Sequence, residues 1–307
     1  MFRFKHEQTI VNVGGVKFGG QPGELPTVLC GTIFYQGHRI VQDDALGVFD
    51  RLAAELLVSR QAELSEETGN PAILHLYART IEAAERYLAF ADDAWDGPLI
   101  IDSADPSVRS ASAQLVSEIG YADKSIYNSI SVATGEAEAQ AIRDSEMDSA
   151  IILAYNPANS SVDGSLQVLE TGGSVKEKGL ISLANDAGLV NLLIDPGIVP
   201  LGSGAGSALR FSVVVKARLG LPTGSGIHNA VSAWPWLRSA DKATKWCCDA
   251  AASALQLGAA GDFLLYGPIE SAKFIFPAAA MADIMIAEAV RDLEIEPALE
   301  HPLNRLV

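Results

Sequence analysis

Basic residues are scarce in this chain: 22 Lys and Arg stand against 38 Asp and Glu over 307 residues, a formal charge of −16. Nucleic-acid backbones are neutralised by clustered cations, so this balance excludes a nucleic-acid partner. Cysteine is scarce too. Cys30, Cys247 and Cys248 offer neither a disulfide framework nor zinc spacing, and read as reduced thiols of a cytoplasmic protein. The longest apolar stretch, Phe274–Val290, is interrupted by Pro277, Asp283 and Glu288, which is too polar for a membrane span. The opening Met1-Phe-Arg-Phe-Lys has no apolar targeting core and no cleavage site. A soluble protein is expected, free to dock on a membrane complex. No Gly-x-Ser-x-Gly elbow, Cys-x-x-Cys or His-x-Glu occurs, so serine hydrolysis and a resident metal both lack a signature.

What the chain has is a repeated pattern of short apolar runs, each closing on one polar side chain. Pro98–Ile101 closes on Asp102 and Ser103, and Lys124–Tyr127 closes on Asn128 and Ser129. Ile151–Tyr155 closes on Asn156, Leu189–Ile194 on Asp195, and a glycine-rich run on His228 and Asn229. A strand covered on both faces stays apolar until it leaves the core. In a (β/α)8 barrel those strand ends converge on one mouth.

Strands are expected over 27–34, 71–77, 98–103, 124–131, 150–156, 189–196, 221–229 and 262–267. Helical patterns fill the gaps: 43–67, 80–94, 106–119, 135–146, 164–187 (broken at Gly172-Gly173), 205–219, 239–258 and 272–292. Asp105-Pro106 offers an N-cap and a first-turn proline, while Gly120 and Gly188 stand where helices end. Strict alternation implies a parallel sheet with right-handed crossovers, and eight repeats favour closure into a TIM barrel. Residues 9–20 alternate apolar and polar around Gly14-Gly15 and read as a β-hairpin plugging the bottom of that barrel. Residues 1–26 are thus hairpin and connector within a single domain over 1–307. Phe274–Val290 is apolar nearly all round its helix, which on the outermost element points to a homodimer.

The polar ends are rich in Asp and Asn and poor in nucleophiles, which suits gripping a heterocycle rather than cutting a bond. An aminopyrimidinone presents an amino group beside a ring N–H, and a carboxylate such as Asp102 or Asp195 accepts both in parallel. Each Asp serves equally well as a helix cap when taken alone. Two carboxylates also meet the needs of a glycosidase, but the stacking aromatics of such sites are few here. Asn128, Asn156 and Asn229 are neutral amides able to donate or accept, yet also ordinary loop residues. Gly202-Ser-Gly-Ala-Gly-Ser207 departs from a phosphate fingerprint and reads as a flexible lead into a helix. Each histidine, His228 included, reads first as a satisfied structural residue.

Together these residues resemble the H-subunit family of the tetrahydromethanopterin S-methyltransferases, which also includes bacterial methylcobamide:tetrahydrofolate methyltransferases. The resemblance runs from Val13-Gly-Gly-Val-Lys-Phe-Gly-Gly-Gln-Pro-Gly-Glu24 to His301-Pro302. Its specific stretches are Gly31-Thr-Ile-Phe-Tyr35, Thr68-Gly-Asn-Pro71, Tyr127-Asn-Ser129, Ile194-Asp-Pro-Gly197, His228-Asn-Ala-Val-Ser-Ala-Trp234 and Tyr266-Gly-Pro268. It implies a pterin-binding TIM barrel in which Asp102, Asn128 and Asp195 hold the pterin; Ser129 and Asn156 are further candidates from the polar-end pattern alone. It also implies that Asn229 stands beside N5, the methyl-bearing nitrogen. No Asp-x-His-x-x-Gly signature occurs, so the corrinoid (cobalamin) that exchanges the methyl group is expected on a partner protein. The membrane complex on which such a chain could dock would then be a methyltransferase complex. Two alternatives remain at this level: a non-catalytic pterin-binding docking subunit, and a dihydropteroate-synthase-like condensing enzyme. The latter wants a Lys and Arg pair at the mouth, whereas Lys216 and Arg218 fall in mid-helix.

Overall fold

The computed structural model describes residues 2–307. Strands β1 (Ile10–Val13) and β2 (Val16–Gly19) form the opening hairpin, β3 (Val28–Ile33) begins the barrel, and β4 (Val41–Asp43) with β5 (Val48–Phe49) makes a second small hairpin. The barrel continues with β6 (Ala72–Tyr77), β7 (Leu99–Asp102), β8 (Ser125–Ile130), β9 (Ser149–Leu153), β10 (Asn191–Asp195), β11 (Gly224–Ser225) and β12 (Phe263–Pro268). Helices α1 (Arg51–Thr68), α2 (Ile81–Ala94), α3 (Pro106–Glu118), α4 (Glu136–Arg143), α5 (Val162–Glu170) and α6 (Leu180–Asp186) cover the first half. The second half carries α7 (Gly206–Arg218), α8 (His228–Ser232), α9 (Pro235–Arg238), α10 (Lys242–Gly258), α11 (Ala272–Val290) and α12 (Pro302–Leu306).

Eight parallel strands run in the order β10-β9-β8-β7-β6-β3-β12-β11. A parallel bridge from Ile194 to Thr223 joins the two ends of that order and closes the barrel. The expected TIM barrel is therefore the observed one. Register sorts side chains by alternation. Val28, Cys30, Ile73, Ile100, Ile126, Ile151, Leu193, Phe263 and Leu265 point inward and pack with Val11, Val13 and Phe18 of the opening hairpin. The hairpin thus plugs the barrel floor, each of its three buried side chains contributing about 1.5–3 kcal/mol. Behind the plug, Lys216 lies fully buried and donates to the Gly20 carbonyl and to Asp262, both at 2.7 Å. Lys216 therefore ties the hairpin to α7 at the closed end, and Arg218 pairs with Glu170 at the outer surface.

Three sequence expectations need correction. Residues 41–49 form the β4–β5 hairpin, not the start of a helix. Asp43 turns the chain by accepting from the Ala45 and Leu46 N–H groups, and Asp50 caps α1 only at Arg51. The 164–187 pattern, by contrast, breaks where expected, into α5 and α6 around Gly172 and Gly173, both at positive φ. The 239–258 pattern begins at Lys242, where the Asp241 carboxylate accepts from the Thr244 N–H. Lastly, β11 spans only Gly224–Ser225, and His228 and Asn229 begin α8 rather than end a strand.

The all-round apolar character of α11 has a local cause. One side meets the barrel, and α10, α1 and α12 cover its flanks. Its one buried charge, Asp283, accepts from Thr27 (2.9 and 2.7 Å) and Asn70 (2.6 Å), pinning the starts of β3 and β6. Met281 and Met285 are left outside. Among the described residues no helix is long and apolar enough to cross a membrane.

Candidate functional site

Strand alternation decides what reaches the mouth. Above the apolar inner layer, the next inward positions are Thr32, His75, Asp102, Asn128, Leu153 and Asp195, and all six line one cleft of about 540 Å3. Ser129, Gly226, His228 and Asn229 complete its polar wall, and the 197–200 segment flanks it. Its size suits a small ring system. Of the expected site residues, Asp102, Asn128, Ser129, Asp195 and Asn229 are thus brought together.

Asn156 is not brought to them. Its Nδ2 donates to the Gly164 carbonyl (3.1 Å), and its Oδ1 accepts from the Ala158 and Asn159 N–H groups (2.9 and 3.2 Å). The amide is spent on its own loop, three residues past the end of β9, and the inward residue at that strand end is Leu153. The Gly202–Ser207 loop likewise stays outside the cleft lining and leads into α7.

Neither carboxylate caps a helix; Asp105 caps α3. Asp195 is 7% exposed and accepts one hydrogen bond, from the Gly197 N–H at 2.7 Å. Burial pushes its carboxyl up from the ordinary 3.8 to about 7. It is a carboxylate short of donors, facing a cleft. Asp102 has different company: its Oδ2 lies 2.9 Å from His75 Nε2, and His75 Nδ1 lies 3.0 Å from Thr32 Oγ1. With the Nε2 proton donated to the carboxylate, Nδ1 accepts from the threonine hydroxyl, and Asp102 is held by one oxygen. Sequence patterning misses His75 and Thr32 because they lie within apolar runs instead of ending them. Counting inward from Ile73 finds His75.

His228 Nδ1 lies 3.0 Å from the Leu265 carbonyl, so Nδ1 carries the proton and Nε2 keeps its lone pair. Burial lowers this imidazole to about 4, which keeps it neutral near pH 7. Gly267 is at φ +79°, and a Cβ there would lie 2.5 Å from the His228 ring, so only glycine leaves the ring its seat. Asn229 is exposed on the cleft rim in the first turn of α8, which opens with its own N–H donating to Gly226 (2.9 Å). Asn128 and Ser129 are half-buried at the end of β8.

The C-terminal mouth of the (β/α)8 barrel thus gathers two carboxylates, two amides and two imidazoles around one cleft, a set of donors and acceptors that matches the edge of a polar heterocycle. The barrel fold recurs in known structures. Solved dihydropteroate synthases share it: the Yersinia pestis enzyme with a sulfonamide drug aligns at TM-score 0.62 and 12% identity, covering 93% of this chain and all of that one. The Coxiella burnetii enzyme in complex with pteroic acid aligns at TM-score 0.60 and 13% identity, covering 92% and 100%. At such identities the likeness shows the fold alone.

The family follows from sequence. The model of the tetrahydromethanopterin S-methyltransferase MtrH subunit matches residues 6–298, and the chain belongs to that family. The H subunit of the mtx methyltransferase of Methanosarcina barkeri is 54% identical over the whole of both chains. The H subunit of the tetrahydromethanopterin S-methyltransferase of Methanothermobacter thermautotrophicus is 47% identical, again end to end.

Proposed function

We propose that this chain transfers a methyl group between N5 of a tetrahydropterin and the cobalt of a corrinoid carried by a partner protein. The observation that carries the reading is the pairing of Asp195, a buried carboxylate short of donors, with a rim of amides around the same cleft. Asp195 would accept the amino group and adjacent N–H of the pterin ring, a bidentate match that satisfies the oxygen now unpaired. Asp102, held from behind by His75, and Asn128 would fix the ring edge from strands β7 and β8, with Ser129 beside them. Asn229, exposed at the rim, would meet N5. Tetrahydromethanopterin is favoured by the names of the relatives, and tetrahydrofolate offers the same ring.

The corrinoid, when its partner delivers it, supplies the reduced cobalt nucleophile that this chain lacks. A cleft of about 540 Å3 is sized for the pterin and not for a macrocycle as well, which supports a corrinoid held elsewhere. The work of this chain is then positioning and polarisation. Holding N5 in line with the incoming partner converts a chance encounter into a near-attack geometry. As N5 leaves, its growing electron density is met by the Asn229 amide donating a hydrogen bond while a solvent proton arrives. In the reverse direction the neutral N5–H amine attacks the methyl group through its lone pair while the Asn229 oxygen accepts from N5–H, and that proton passes to solvent as the N5–methyl bond forms.

A condensing enzyme would need the lysine and arginine at the mouth. Lys216 is sealed against Asp262 at the opposite end and Arg218 is on the outer surface, so neither of the two cations weighed for a condensing enzyme reaches the cleft. Exposed Met281 and Met285, flanking a shallow apolar hollow with Leu64, Pro277 and Leu306, support association with a second copy. The test of the assignment is Asn229→Ala: methyl transfer should slow by about 10²–10³, while calorimetric affinity for the tetrahydropterin changes by no more than roughly threefold. Full transfer activity in that variant would sink the assignment.

A further inference from the structure

A second cavity, of about 340 Å3, adjoins the pterin cleft. His228 is the wall between them, lining both. Helix α8 straddles the same boundary, with Asn229 on the cleft and Val231 on the lateral cavity.

The lateral cavity combines an aromatic plate, two cations and an unpaired acceptor. Trp246 lines it and is backed by Phe274, ring centroids 4.2 Å apart in a stacked pair, which fixes the indole. Lys245 and Arg238 stand at the same cavity, and the Lys245 ammonium donates to the Arg238 carbonyl at 3.0 Å, joining α10 to α9. Asp249 also lines it, and its Oδ1 is buried without a hydrogen-bond partner. Burial pushes that carboxyl from 3.8 to about 6, so it is mostly ionised at pH 7 and still an acceptor.

Pterin chemistry says what should lie there. N5 is bonded directly to C6, and in tetrahydropterin coenzymes C6 carries an arylamine tail that ends in acidic groups. If N5 meets Asn229, that tail leaves the ring beside α8 and His228, where the lateral cavity begins. We infer that this cavity is the subsite for the arylamine tail of the coenzyme. Trp246 takes the aryl ring by stacking, Lys245 and Arg238 meet the acidic terminus, and Asp249 accepts an N–H or O–H of the linker. The inference rests on the Asn229–N5 reading and extends it to a part of the substrate that the cleft does not hold.

Calorimetry on the full-length protein with three probes tests it: 6-methyltetrahydropterin, which has the ring and no tail, tetrahydrofolate, and tetrahydromethanopterin. The wild-type protein should bind one of the tailed coenzymes at least about tenfold more tightly than the tailless ring. Trp246→Ala should remove most of that advantage and leave the affinity for 6-methyltetrahydropterin within about twofold. Lys245→Ala, a milder change, should do the same in smaller measure and keeps the test open if Trp246→Ala disturbs α10. Which tailed coenzyme shows the advantage identifies the source of the tail. Equal wild-type affinity for tailed and tailless ligands, or variants that weaken both alike, would overturn the subsite and leave the ring reading standing. Failure of the wild-type protein to bind any of the three would overturn both.

Discussion

Asp195→Asn tests the site and the fold with one substitution. The native carboxylate is buried with a single backbone N–H for company. Its rise from 3.8 to about 7 means that ionising it in the folded protein costs roughly 4 kcal/mol more than in the unfolded chain. The sign follows from linkage. Below pH 3.8 the group is protonated in both states and the penalty is absent; it accumulates as pH rises and is complete above about 7. Asn keeps an oxygen for the Gly197 N–H and carries no charge, so the variant should be the more stable protein at pH 8. The gap between variant and wild type should widen by roughly 2–3 kcal/mol between pH 5 and pH 8. The same change should weaken coenzyme binding by about 30- to 1000-fold, since an amide presents one acceptor and one donor to a ring edge that offers two donors, a mismatch of about 2–4 kcal/mol. Wild-type affinity itself should fall as pH drops below about 7, where Asp195 takes up its proton. Denaturant unfolding at the two pH values and calorimetry on both proteins give the readings. Parallel pH profiles for the two proteins, or undiminished affinity in Asp195→Asn, would refute the reasoning.

Three further substitutions probe single contacts. Gly267→Ala should evict the His228 ring and strain a position at positive φ, lowering stability by about 2 kcal/mol in thermal unfolding and weakening coenzyme binding with it. Lys216→Met should leave Asp262 buried without its cation and cost about 3–5 kcal/mol at pH 8. Burial already raises the Asp262 carboxyl against the pull of Lys216, so in the variant it should protonate readily and the loss, followed by denaturant unfolding, should shrink as pH falls. Asp283→Ala should cost about 2–4 kcal/mol in the same measurement, because Thr27 and Asn70 lose their shared acceptor at the barrel floor, with coenzyme affinity unchanged.

The barrel is legible in the sequence because buried parallel strands leave long apolar runs and the helices between them carry their caps. Its polar rim is legible only where the inward residue coincides with the end of a run. Asp102, Asn128 and Asp195 satisfy that condition. Asn156 ends its run in sequence but not in space: β9 stops at Leu153, and the amide turns back on its own loop. His75 shows the converse. It lies in mid-run, yet alternation points it to the cleft, where it holds Asp102. The β4–β5 hairpin is hidden because Asp43 and Asp50 both look like caps, and only the backbone shows which of them opens the helix. The apolar surplus of α11 implies an open interface because the covering helix α12 comes only after a further loop, in a short segment with little periodicity of its own. The lateral cavity beside His228 is beyond reach for a different reason: it joins α8, α9 and α10, whose relative placement no local pattern encodes.

Mixing the purified protein with N5-methyl-tetrahydromethanopterin and cob(I)alamin, and following the cobalamin spectrum, tests methyl transfer at N5 most directly. Protein-dependent formation of methylcobalamin, lost in Asp195→Asn and much slowed in Asn229→Ala, is the predicted result. A protein that binds the methyl-pterin by calorimetry yet forms no methylcobalamin, with free cobalamin or with any corrinoid protein offered, would contradict it.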